Sequence, residues 1–126
     1  MTTYTERGEI DPKLLDFLRN KVNSFIKWDL VRFFHDNPYA VDSAEHIAHY
    51  ILRDKRTTER ELDSLAESNV LNADEISGVR VYRLTPDDTT RDLISHFVSA
   101  CDDREFRVKA INEVINGKRF SPRHDF

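Results

Sequence analysis

The chain has 126 residues, 39% hydrophobic and 33% charged, a length that supports one domain and leaves little room for a second core. Its formal net charge of -4 argues against indiscriminate coating of nucleic acid, while a small local basic face remains compatible with it. Cys101 is the one cysteine, which excludes an internal disulfide and a cysteine-rich zinc site.

Residues 1–7 hold no apolar run like that of a signal peptide, and no later stretch is long enough to span a bilayer; a cytoplasmic protein is expected. The polar segment up to Ile10 is expected to fray. Asp11-Pro12 suits a helix start, Asp as N-cap and Pro at the first helical position. Leu14, Leu15, Phe17, Leu18 and Val22 follow at helical spacing, and Phe25, Ile26, Leu30, Val31, Phe33 and Phe34 continue it beyond Asn23-Ser24. One long helix or two broken at Ser24 fit equally well. Asn37-Pro38 ends the pattern, because the residue before a proline disfavours helix.

Tyr39-Ala40-Val41 is expected to form a minimal strand. Asp42 and Ser43 both suit the N-cap of the next helix, and Asp42 with Glu45 makes a variant capping box. Ile47, Ala48 and Ile51 give that helix an apolar face. After the connector Arg53-Asp54-Lys55-Arg56, a third helix carries Thr58, Leu62, Leu65, Ala66 and Asn69 on one face. Either Asp54 caps it or Thr58 does, with Glu61 completing a capping box. Val70-Leu71-Asn72 and the run from Val79 to Leu84 read as two strands, joined by a turn from Asp74 to Gly78 in which Gly78 takes a positive φ. Thr85-Pro86 stops the hairpin. Leu93, Ile94, Phe97, Val98, Phe106, Ala110, Ile111, Val114 and Ile115 then repeat helically, with Asp102 or Asp103 restarting the helix and Gly117 stopping it. The chain is therefore expected to be mainly α with a small β-hairpin. Its basic tail (Lys118, Arg119, Arg123, His124) is better explained as a loose, solubilising end than as a set of phosphate contacts.

Ile47-Ala48-His49-Tyr50-Ile51, then Leu62-Asp63-Ser64-Leu65, then Ser68-Asn69-Val70-Leu71, carry a resemblance to the winged helix-turn-helix domains of bacterial transcription regulators. Such domains show an aliphatic-Ala-x-x-aliphatic stretch in the second helix and aliphatic residues three apart in the third. The physical reason is close packing: Ala48 lets the two helices cross at short distance. Asn69 stands where glycine is frequent, and asparagine tolerates the left-handed backbone a helix end needs. Leu52 and Arg53 depart from the pattern, since a small residue, often glycine, usually sits near Leu52. The resemblance covers about half of the chain. It implies a winged-helix core over residues 24–86, with helical flanks at 11–23 and 89–117 inside a single domain.

It also implies that the third helix, about residues 55–68, enters the major groove of double-stranded DNA, while the wing, about 70–84, meets the backbone. The residues placed for this are Lys55, Arg56, Thr57, Arg60 and Ser64 on the helix, with Arg80 and Arg83 on the wing; arginine grips guanine bidentately and hydroxyls reach bases or phosphates. Against it stand Glu59, Glu61, Asp63 and Glu67 on the same helix. From Arg53 to Arg83, six cations (Arg53, Lys55, Arg56, Arg60, Arg80, Arg83) meet seven acids (Asp54, Glu59, Glu61, Asp63, Glu67, Asp74, Glu75). The competing expectation is a protein-docking adaptor whose charged helix face is simply solvated.

No catalytic role is expected, since no phosphate-cradling glycine loop or nucleophile elbow is present. Cofactors and metals are not expected either. His46 and His49, three apart beside Glu45, lack an evident third ligand, and Cys101 is expected to pack in the core. The flanks carry more apolar surface than a winged-helix core covers, so they pack on each other or build a homodimer interface; a homodimer is expected.

Overall fold

The computed structural model describes residues 2–119, which form six helices and a three-stranded antiparallel sheet. In chain order these are α1 (Pro12–Asn20), α2 (Phe25–Asp36), β1 (Val41–Ser43), α3 (Ala44–Ile51), α4 (Lys55–Glu67), β2 (Leu71–Ile76), β3 (Val79–Leu84), α5 (Asp88–Ala100) and α6 (Arg104–Arg119). The mainly helical expectation holds. No helix among the described residues is long and apolar enough to cross a membrane.

Short polar side chains set the helix starts by satisfying amide groups that the helix leaves without partners. Asp11 accepts from the Lys13 and Leu14 amides. Ser24 separates two helices rather than decorating one, because its hydroxyl accepts from the Lys27 amide at 3.1 Å. Ser43, not Asp42, caps α3. Asp42 lies inside β1, with its carboxylate 2.8 Å from His46 Nδ1, so the Asp42–Glu45 capping box does not form. Of the two caps open for α4, Asp54 serves and Thr58 is buried in the first turns. The short strand also lies two residues later than expected, at Val41–Ser43, where it can pair with β3 in the register Val41↔Arg83.

The hairpin is longer and its turn tighter than the sequence suggests. β2 runs through Ile76, and only Ser77 and Gly78 turn the chain, at φ 52° and 82°. Two consecutive positive φ values match the right-handed twist of the flanking strands, which is why a two-residue turn closes here. Asn69 does take the left-handed conformation, φ 65°, that ends α4, but its side chain is exposed and Ala66 is half-buried. The inward face of α4 is thus Thr58, Leu62 and Leu65. Leu52 occupies the same left-handed region at the end of α3, φ 58° and ψ 48°, where glycine is the usual solution. A side chain there costs about 1–2 kcal/mol, and Leu52, 87% exposed, recovers none of it by packing.

One apolar core joins the flanks to the centre. Leu30, Val31 and Phe34 of α2 meet Ile47, Leu62, Leu65, Leu71 and Tyr82, and the same cluster continues into Leu14, Phe17, Leu18, Ile94, Phe97 and Phe106. Phe97 ties four helices together: its ring lies 6.2 Å from Phe17, 5.4 Å from Trp28 and 6.3 Å from Phe106, each edge-on. Truncating such a ring to alanine costs about 3–5 kcal/mol. Most of the flanking apolar surface is therefore covered within the chain. On α6, Val108, Ile111 and Ile115 remain 36–50% exposed.

Two expectations at the ends are corrected. Residues 2–10 do not fray: Tyr4 bridges Ile10, Ile10 is buried, the Tyr4 hydroxyl donates to Asp103 at 2.9 Å, and Lys109 Nζ donates to the Gly8 carbonyl at 2.8 Å. Isolated apolar anchors, rather than a periodic run, hold that segment. Gly117 does not stop α6, which continues to Arg119. The basic tail, together with the side chains of Lys118 and Arg119, lies outside the described residues.

Candidate nucleic-acid interface

The seven residues marked for DNA contact fall on two elements, α4 and β3, and their surroundings differ. Because Asp54 caps α4, Lys55 and Arg56 occupy the first turn and are exposed. The Asp54 carboxylate accepts from the Thr57 amide at 2.9 Å and the Thr57 hydroxyl at 3.0 Å. Those two bonds, with the nearby Arg56 charge, hold the Asp54 carboxyl below the usual carboxylate range. The Thr57 hydroxyl proton is thereby committed, which leaves its oxygen to accept. Arg60 is exposed one turn further on, and Ser64 follows it, half-buried. Among the described residues, Lys55, Arg56 and Arg60 enter no ion pair.

Arg80 and Arg83 are placed differently. Arg80 Nε donates to Asp63 Oδ1 at 2.9 Å and to the Tyr82 hydroxyl at 3.1 Å, while that hydroxyl donates to Asp63 at 2.6 Å. Burial, then the bond to Asp63, pushes the Tyr82 phenol up to about 12. The hydrogen bonds that Arg80 donates to Tyr82 and Asp63 also raise its guanidinium, so it stays charged and neutralised in place. Arg83 Nη2 lies 3.0 Å from Asp74 Oδ2. Asp74 reaches it because β2 extends further than expected: Asp74 stands opposite Val81, diagonal to Arg83 and on the same face of the sheet.

The acids of α4 are disposed just as unevenly. Glu61 accepts from the Ser24 hydroxyl at 2.7 Å, and Asp63 is taken up by Arg80 and Tyr82. Glu59 and Glu67 remain exposed. Half of the carboxylates that the sequence sets against DNA are therefore engaged with other parts of the protein.

Thr57, Arg60 and Ser64 open into a cavity of about 1050 Å³ between α4, the start of α2 and the end of α6. Lys27 and Arg19, which sequence reasoning did not single out, line it too. Lys27 is 7% exposed, with Nζ 2.9 Å from Asn23 Oδ1. The one sequence signal for it is a lysine interrupting the apolar run from Phe25 to Leu30. Arg53 also reaches the cavity wall while bonded through Nε and Nη2 to Asp29, at 3.1 and 2.8 Å.

The remaining candidates contribute no chemistry to this interface. His46 pairs with Asp42, and no group of three or more His, Cys, Asp or Glu that could hold a metal exists among the described residues. Cys101 is half-buried against the core, and burial pushes its thiol up, which favours the unreactive protonated form.

No family model matches the chain, and no curated protein matches it. Among solved structures it is similar to a possible transcriptional regulator from Methanosarcina mazei Go1, at 18% identity over 75% of this chain and 82% of that one, with a TM-score of 0.47.

Proposed function

We propose that the chain is a winged-helix protein that binds double-stranded DNA, with α4 in the major groove and the β2–β3 hairpin as a wing along the backbone, and that it acts as a transcription regulator. The observation that carries this is the exposed start of α4, where Lys55, Arg56 and Arg60 enter no ion pair among the described residues and lie beside Thr57 and Ser64. Free cations on a helix end deliver their full field to phosphates and base edges. On this reading α4 supplies most of the affinity, and Arg80 and Arg83 contribute only after exchanging Asp63 and Asp74 for phosphate. The protein acts as a homodimer, joined through the outer face of α6 at Val108, Ile111 and Ile115, so that two copies of α4 address two half-sites. No catalytic step, cofactor or metal enters.

A mobility-shift titration against genomic fragments tests it. Three neutralised phosphates give a log–log salt slope of about -2.7 per protomer. Binding should be strongest at low salt, and absence of a shift there sinks the proposal. The second reading, a docking adaptor for another protein, is favoured by the paired state of Arg80 and Arg83. A stoichiometric protein complex that survives Arg60→Ala, in a protein that shifts no DNA, selects it instead.

A further inference from the structure

We propose that the cavity beside α4 binds a small organic anion that carries an apolar ring. Three stretches distant in sequence build it, within residues 19–27, 53–64 and 113–117, so the site is a product of the tertiary fold. Four cations, Arg19, Lys27, Arg53 and Arg60, line it with two carboxylates, Glu61 and Glu113, and a third carboxylate, Asp29, holds Arg53. A concave wall with an excess of one sign concentrates its field in the cleft it borders. Glu113 is held by Arg19 at 2.7 Å and Glu61 by the Ser24 hydroxyl, while Arg60 enters no ion pair among the described residues. Arg60 is thus the cation available to a ligand. Its planar guanidinium meets a carboxylate or a phosphate ester with paired hydrogen bonds.

Phe25 and Ile26 give the same cavity an apolar side. The volume, about 1050 Å³, exceeds what a lone inorganic ion fills and lies just above the range typical of organic-ligand pockets. A ring against Phe25 and an anionic group on Arg60 use both halves of the lining. Thr57, Arg60 and Ser64 are also the residues given to DNA above, so a bound anion and duplex DNA exclude one another. That exclusion rests on the DNA reading; the binding of the anion does not.

The protein carries its own reporter. Its one tryptophan, Trp28, lies 5.5 Å from Phe25, ring to ring, edge-on. The full chain, titrated with phenyl phosphate and with benzoate, should show a saturable change in Trp28 emission, and the anion that saturates at the lower concentration identifies the head group. Uncharged benzyl alcohol should give no saturable change, and inorganic phosphate should bind more weakly than phenyl phosphate. Arg60→Gln should weaken the response to the aryl anion by about tenfold, Phe25→Ala should weaken it too, and Arg104→Gln at the start of α6 should leave it unchanged. The proposal is overturned by no saturation with either aryl anion up to about 10 mM, by equal saturation with benzyl alcohol, or by an undiminished response in Arg60→Gln. Displacement of duplex DNA by the aryl anion extends the site to regulation. A Trp28 response in a protein that shifts no DNA leaves the site standing and removes the DNA reading alone.

Discussion

Both the start of α4 and strand β3 present cations to solvent, but among the described residues only those of β3 are held in ion pairs. Lys55, Arg56 and Arg60 enter no ion pair among the described residues, Arg56 sensing Asp54 only through its nearby charge, whereas Arg80 is held by Asp63 and Arg83 by Asp74. All five residues are exposed, the side chains of Arg80 and Arg83 by about half. What differs is the work needed before a phosphate can be engaged. A free arginine gives up hydration only, while a paired one must first surrender a charge-assisted hydrogen bond. Counting basic residues in a segment therefore says little about its affinity for a polyanion; their pairing decides it.

The largest test of that contrast is a pair of double variants. Arg56→Ala/Arg60→Ala should weaken duplex binding by about tenfold to a hundredfold and flatten the salt slope by nearly two. Arg80→Ala/Arg83→Ala, which removes the same formal charge, should cost no more than about threefold, since each arginine must first give up its charge-assisted bond to a carboxylate. Equal losses in the two variants, measured by fluorescence anisotropy at matched salt, would break the comparison.

A reversed sign comes next. Asp63→Asn/Asp74→Asn releases both hairpin arginines while leaving an acceptor for the Tyr82 hydroxyl. Affinity for duplex DNA should rise several-fold, and the salt slope should steepen by up to about 1.8, two phosphates at 0.9 each. An unchanged slope would mean that the hairpin does not approach the backbone, which favours the adaptor reading.

How much of this is legible from the chain varies with the range of the interaction. Local chemistry is read well: Asp54 is one of two caps the spacing allows, Asn69 takes the left-handed backbone expected of it, and Leu62 and Leu65 face the core. Leu52 marks the place where glycine is missing, and the cost appears there as a positive φ rather than as a different turn. Pairing across elements is not legible in the same way. Arg80 meets Asp63 across 17 positions of chain, and Glu61 meets Ser24 across 37. The Arg83–Asp74 pair had a usable signal: once β2 is carried through Ile76, its register puts the two side chains diagonally on one face. Placing Asp74 in the turn hid it. The cavity was hidden for a related reason, since Arg19, Lys27 and Glu113 belong to helices whose apolar periodicity draws attention to their opposite faces.

The smallest expected effect separates carboxylates spent on the backbone from those spent on arginine. Asp54 sits among Lys55, Arg56 and Thr57, yet its carboxylate is occupied by the Thr57 amide and hydroxyl rather than by a cation. Its folded pKa is depressed below the ordinary 3.8. A carboxyl depressed on folding contributes stability that is fully present above its unfolded pKa and is lost as pH falls through the folded value. Asp54→Asn should therefore lower the melting temperature only slightly near neutral pH, since asparagine keeps the cap and loses only the charge. The gap from the unaltered protein should narrow on acidification below about pH 4 and close once the native carboxyl is protonated. Binding to DNA should change by less than about twofold, because no arginine is released and the lost charge is screened at moderate salt. A gain in affinity as large as that of Asp63→Asn/Asp74→Asn would show that bulk negative charge, rather than pairing, limits this surface.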